Sequence, residues 1–138
     1  MSLTKVTYVP GTTIITSANM NDIQQNIING TGYATCATAA ATVAKVASLT
    51  DFVLSTGARI VVKFTYSNTA SSPTLNVNST GAKAIKRYGT TAVGTNPSTS
   101  WVAGEAVELV YDGTNWVIVR GTAYGNVASL TYTDIGAF

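Results

Sequence analysis

Few residues in this chain could do covalent chemistry. It has one cysteine, Cys36, and no histidine. A thiol nucleophile would therefore lack its usual base, and a metal its commonest ligand. The six carboxylates are Asp22, Asp51, Glu105, Glu108, Asp112 and Asp134. Glu105 and Glu108 are three apart on an expected strand, which turns them to opposite faces and makes a poor acid–base pair. Asp112 begins an Asp-Gly turn, and Asp22 falls on an expected helix. Gly57, Gly81 and Gly113 each sit at a separate turn, so no glycine-rich phosphate loop forms. We expect no catalytic residues, no metal site and no cofactor: the protein is not an enzyme. Cys36, flanked by small residues, is expected to be a buried and inert thiol.

Recognition by stacking is the other chemistry to weigh. A ring face can hold a sugar, and Trp101, Trp116, Tyr88 and Tyr124 are the aromatic candidates. Trp116 belongs to the inward set of an expected hairpin, which leaves Trp101 and Tyr88 as the possible glycan-binding pair. Charged residues are only 10% of the chain, against roughly 25% in ordinary soluble domains. Such a neutral surface suits a protein partly covered by copies of itself. The net charge is +2, and its densest cluster is Lys83, Lys86 and Arg87. That cluster reads as a solvated strand edge, where lysine discourages edge pairing, and no nucleic-acid partner is expected. With no secretory signal pattern and no apolar run near the ~18 residues a bilayer needs, no membrane insertion is expected. The chain reads as soluble, or as delivered within a larger particle.

These groups must be positioned by strands. Arg59 to Tyr66 alternates, with Ile60, Val62, Phe64 and Tyr66 on one face and Val61, Lys63 and Thr65 on the other. Shorter apolar segments precede it at 33–36 and 43–49. Pro73 to Asn78 alternates again, and 82–88 holds a strand centred on Ile85. Residues 89–100 read as a loop. The clearest local signal is 106–111 and 116–120 flanking Asp112-Gly113-Thr114-Asn115, a β-hairpin. The expected core is Ile60, Val62, Phe64, Leu75, Val77, Val107, Leu109, Tyr111, Trp116 and Ile118. The fold class is mainly β, an antiparallel sandwich-like module with one short N-terminal α-helix.

Ahead of the module, extended pieces are expected at 4–9 and 12–15. A helix is expected over 18–29, capped by Thr16 or Ser17 and stopped by Gly30. Met20, Ile23 and Ile27 recur at spacings of three and four as an apolar seam. Three turns are too few to persist alone in water, so the seam must be covered. It could pack on its own β-module, or against the same helix of other copies. The chain thus divides into an N-terminal attachment and oligomerisation segment (1–31), a β-module (32–121) and a C-terminal arm or linker (122–138).

The run YATCATAAATVAKVASLTDFVLSTGARIVVKFTYSNTASSPTLNVNSTGAKAI, with VYDGTNWVIV at its end, resembles a β-module of tailed-bacteriophage and prophage structural proteins. Such modules occur in tail fibres, head fibres and baseplate-associated proteins. Ala34 stands where that pattern has glycine. ITSANMNDIQQNI is similar to a short helix near the start of phage fibre and appendage proteins, with Gln24 and Gln25 replacing acidic residues. SLTYTDIGAF looks like a linker that elsewhere introduces the next fibre segment. The resemblance implies a homotrimer clasped through Met20, Ile23 and Ile27, located on the virion among other phage proteins. It implies a non-catalytic fibre or decoration protein that displays the β-module for host attachment. The alternatives are a carbohydrate- or receptor-binding module that meets a host surface glycan, and an adaptor for virion assembly.

Overall fold

The computed structural model describes residues 15–87 and 90–121. The extended piece expected at 4–9, most of that at 12–15, Tyr88 and the arm at 122–138 lie outside the described residues. One helix, α1 (Ser17–Thr31), runs directly into β1 (Gly32–Cys36). There follow β2 (Ala44–Ala47), β3 (Arg59–Phe64), β4 (Thr74–Val77), β5 (Lys83–Arg87), β6 (Thr91–Ala92), β7 (Ala106–Tyr111) and β8 (Trp116–Arg120).

The strands form one sheet in the order β1-β3-β7-β8-β5-β4-β2, with β6 added on β5. Three of its pairings are parallel: β1 with β3, β2 with β4, and β5 with β8. The antiparallel sandwich expected from sequence is therefore replaced by a mixed sheet that curls into a nearly closed, barrel-like form. Period-two patterning sets which face a residue takes but not which strand lies beside it, so the parallel neighbours were not foreseeable.

One face of every long strand points inward. All ten expected core residues are buried, together with Ala34, Cys36, Phe52, Ile85, Val93 and Trp101. Removing such side chains from water stabilises the fold by about 1.5–3 kcal/mol each before chain entropy is set against it. At the centre, Trp116 meets Phe52 and Tyr111 with ring centroids 6.1 and 5.5 Å apart. These are tilted contacts of the kind aromatic quadrupoles favour.

Several expectations need correction. Tyr66 is half exposed, because β3 ends at Phe64 and the chain bends before the alternation reaches it. Gly30 lies inside α1, which runs on to Thr31 and gives way to extended backbone at Gly32. The stretch 89–100 is not a plain loop, since β6, buried Val93 and a 3-10 turn at Pro97–Thr99 lie within it. Lys83, Lys86 and Arg87 belong to β5, which has β4 on one side and β8 on the other; it is not an edge strand.

The ends of the sheet, β1 and β2, come together without a ladder among the described residues. Side chains bridge the gap. Val46 N donates to Thr38 Oγ1 at 3.0 Å. Lys45, only 1% exposed, reaches from β2 to the 37–43 loop, where Nζ donates to the carbonyls of Ala39 at 2.8 Å and Ala40 at 3.0 Å. Burial lowers the ammonium's pKa below the usual lysine value, an effect partly opposed by its electrostatic interaction with neighbouring Cys36.

Two turns are set by local geometry. Asn78 and Ser79 both take left-handed φ, 51° and 58°, the pattern of a tight hairpin turn between β4 and β5. In the β7–β8 turn, Asp112 Oδ1 accepts from Thr114 N at 2.8 Å and Asn115 N at 2.6 Å. These backbone bonds hold the Asp112 carboxyl below the usual carboxylate range.

Two pH dependences follow. Asp112 has a depressed folded pKa, so its contribution is complete at neutral pH and is lost as pH falls through the folded value. Asp112→Ala is expected to lower stability by roughly 0.5–1 kcal/mol at pH 7 and by nearly nothing in strong acid, read by urea denaturation at both pH values. Lys45 acts in the same direction, but on the alkaline side. Between its lowered folded pKa and the ordinary value, the unfolded chain binds the extra proton, so stability from this group rises with pH. Thermal melts from pH 8 to 10.5 should show that alkaline gain in the parent and its absence in Lys45→Met.

Candidate functional site

Thr16 starts the helix with a reciprocal cap. Its Oγ1 accepts from Asn19 N at 3.2 Å, and its own N–H donates to Asn19 Oδ1 at 2.9 Å. An Asn here does what Glu or Gln does in the usual capping box. The two bonds satisfy backbone donors that would otherwise be orphaned at the first turn.

Beyond the cap, the apolar seam of α1 is open. Met20, Ile23 and Ile27 are 46%, 38% and 58% exposed, so the apolar seam faces away from the β-module. On the cleft side only Gln25 is partly covered; Asn21 and Gln24 are exposed. Asn21, Gln24 and Gln25 line a cleft of about 400 Å³ against Asp51, Phe52 and Val53. At 3.6 residues per turn, the seam and the cleft side are centred roughly 120° apart around the helix. Gln25 Nε2 spans the cleft to the carbonyl of Asp51 at 3.1 Å. Asp51 offers that carbonyl from a left-handed backbone, φ 60°, which aspartate tolerates better than most residues. The segment is braced from behind by Asn78, whose Oδ1 accepts from Leu49 N at 2.8 Å and whose Nδ2 donates to the Leu49 carbonyl.

The structure thus brings together the three residues expected to serve oligomerisation, and leaves them accessible. The amide-lined cleft behind them was not anticipated. Its lining comes from two segments distant in the chain, and neither carries a period that would link them.

The aromatic pair fares differently. Trp101 is fully buried, stacked on Phe64 with ring centroids 3.9 Å apart and planes 20° from parallel. Its Nε1 donates to the carbonyl of Tyr66 at 3.2 Å. A ring so enclosed has no face to offer a sugar, and Tyr88 lies outside the described residues. Trp101 acts as a core residue at one end of the barrel. Beside it, buried Asn68 ties the 94 and 70 segments together, with Nδ2 donating to the carbonyls of Gly94 at 2.9 Å and Ala70 at 2.7 Å.

Both glutamates are engaged in structure. Glu108 lies between Arg59 and Arg120 on the outer face. Glu105 Oε2 accepts from Val102 N at 2.9 Å. Among the described residues no three of Cys, Asp and Glu converge on a point where a metal could bind. No helix among them is long and apolar enough to cross a membrane.

The chain matches no protein-family model and no curated protein.

Trp101→Ala is expected to cost about 3–5 kcal/mol in denaturant unfolding, as for other large aromatic truncations in cores. In the Trp116→Phe background, where Trp101 is the reporting indole, fluorescence should be blue-shifted and resistant to acrylamide. Quenching as strong as that of free tryptophan would contradict the buried placement.

Proposed function

We propose that this chain is a non-catalytic structural protein of a bacteriophage virion, a fibre or decoration protein that assembles as a homotrimer through α1. In this reading the β-module is displayed outward for attachment, and the protein acts at the particle surface beside other virion proteins. One observation carries the proposal: the apolar seam of α1 is exposed, while the side chain that ties the helix to its own module is the polar Gln25, bonded to the carbonyl of Asp51. An amphipathic helix that served only its own domain would be turned the other way.

The order of the seam supports three strands. With Met20 and Ile27 at the first core position of a heptad and Ile23 at the second, isoleucine occupies both kinds of site. That choice moves parallel helices from pairs towards trimers and tetramers. The flanking Asn19 and Gln24 are uncharged, so packing rather than ion pairing would hold the helices together. The low overall charge fits a protein with much surface between protomers. The phage-like motifs of the β-module and of the helix supply the particle context. The carbohydrate-binding reading loses support from the burial of Trp101.

Light scattering of the full chain tests this directly. A single chain has a mass of 14.3 kDa, so a closed trimer would weigh about 43 kDa. Met20→Asp/Ile23→Asp should reduce the mass to one chain while circular dichroism keeps the β signature, because the seam does not touch the core. A monomeric parent would overturn the trimer, and so would a trimer that survives both substitutions. High salt should leave the parent mass unchanged.

A further inference from the structure

Lys45 occupies an expensive position. Between Asp22 and Asp51 it is the only charged residue, and no proline interrupts that stretch. Yet this lone charge points into the barrel, while its neighbours on β2 point out. Val43 and Val46 are 47% and 54% exposed, and Ala44 is exposed with them. A lysine at 44 or 46 would have kept full hydration and left the interior apolar.

The stretch has the composition of a β-aggregating segment. It is rich in Ala, Thr and Val, nearly uncharged and free of proline. It also ends the sheet. The side of β2 turned away from β4 has no strand ladder among the described residues, and its cover is the 37–43 loop. That loop is fastened by Lys45 Nζ through the carbonyls of Ala39 and Ala40. Both carbonyls have a backbone donor as well, Thr42 N and Thr69 N, so the lysine is not needed merely to satisfy them.

We propose that Lys45 guards the chain against β-aggregation, pinning the loop over the free edge of β2 when folded and charging the segment when it opens. The partner it guards against is the same segment of a second copy. In-register stacking would set successive lysines about 4.8 Å apart, closer than the ~8 Å over which physiological salt screens charge. The repulsion therefore survives in the cell, and a single residue suffices because every layer repeats it. An inward-pointing charge is a recognised means of protecting a sheet edge. Burying the ammonium is a cost the folded state bears for keeping it, in line with its lowered pKa.

The experiment compares the full chain with Lys45→Met, each held at its own urea midpoint so that the unfolded fractions match. Thioflavin T fluorescence and turbidity follow aggregation at several salt concentrations. Lys45→Met is expected to aggregate several-fold faster than the parent. Raising the salt well above physiological should narrow the gap. Val46→Lys adds a charge at an exposed position of the same strand without disturbing the core. It should slow aggregation in the parent and rescue Lys45→Met. Equal or slower aggregation of Lys45→Met would overturn the proposal. So would a Val46→Lys chain that aggregates like the parent, an outcome readable even if Lys45→Met does not fold.

Discussion

Closing the sheet is the constraint on which this architecture depends. A curled sheet hides its edges only if its two ends meet, and here the ends are consecutive strands of the chain, β1 and β2. They share no ladder among the described residues, so the junction relies on the 37–43 loop, which Thr38 and Lys45 fasten to β2. Every other strand on the main path has neighbours on both sides, with backbone bonds that polar side chains need not replace. The 37–43 loop is thus part of the wall of the barrel.

What could be read in the chain was whatever a local period encodes. The β7–β8 hairpin was legible because Asp112-Gly113 marks the turn and both arms alternate around it. The inward sets of β3 and β4 were legible for the same reason. Thr16 was legible as a cap because a short polar side chain there meets an otherwise orphaned amide. The inward turn of Lys45 was not legible. Its alternating neighbours are all small or aliphatic, so either face of β2 could have been the inner one. Only the parallel pairing with β4 decides, by aligning Lys45 with buried Leu75. The misplacement of Lys83, Lys86 and Arg87 at an edge has a similar origin. Composition suggested an edge, whereas the crossovers put β5 between β4 and β8.

The helix shows how an apolar period can be read correctly and still leave its orientation open. Met20, Ile23 and Ile27 form a stripe on any helical wheel, but the stripe alone does not say what covers it. Its orientation is fixed elsewhere on the helix, where Gln25 bonds the carbonyl of Asp51. Trp101 carries the complementary lesson. A tryptophan beside a long polar stretch looks available, until the bend after β3 brings Phe64 beneath it and Tyr66 to its indole nitrogen.

The junction of α1 and β1 has a mechanical meaning. Thr31 ends the helix and Gly32 begins the strand, with no slack between them. A pull along that axis reaches the sheet at once. It meets β1 lying parallel to β3 over five paired residues, from Gly32 opposite Ile60 to Cys36 opposite Phe64. Bonds loaded along the strand share the force and must yield together, whereas a strand peeled from its end releases them one at a time. Loaded along its length, the seam of β1 and β3 therefore resists tension as a lap joint does.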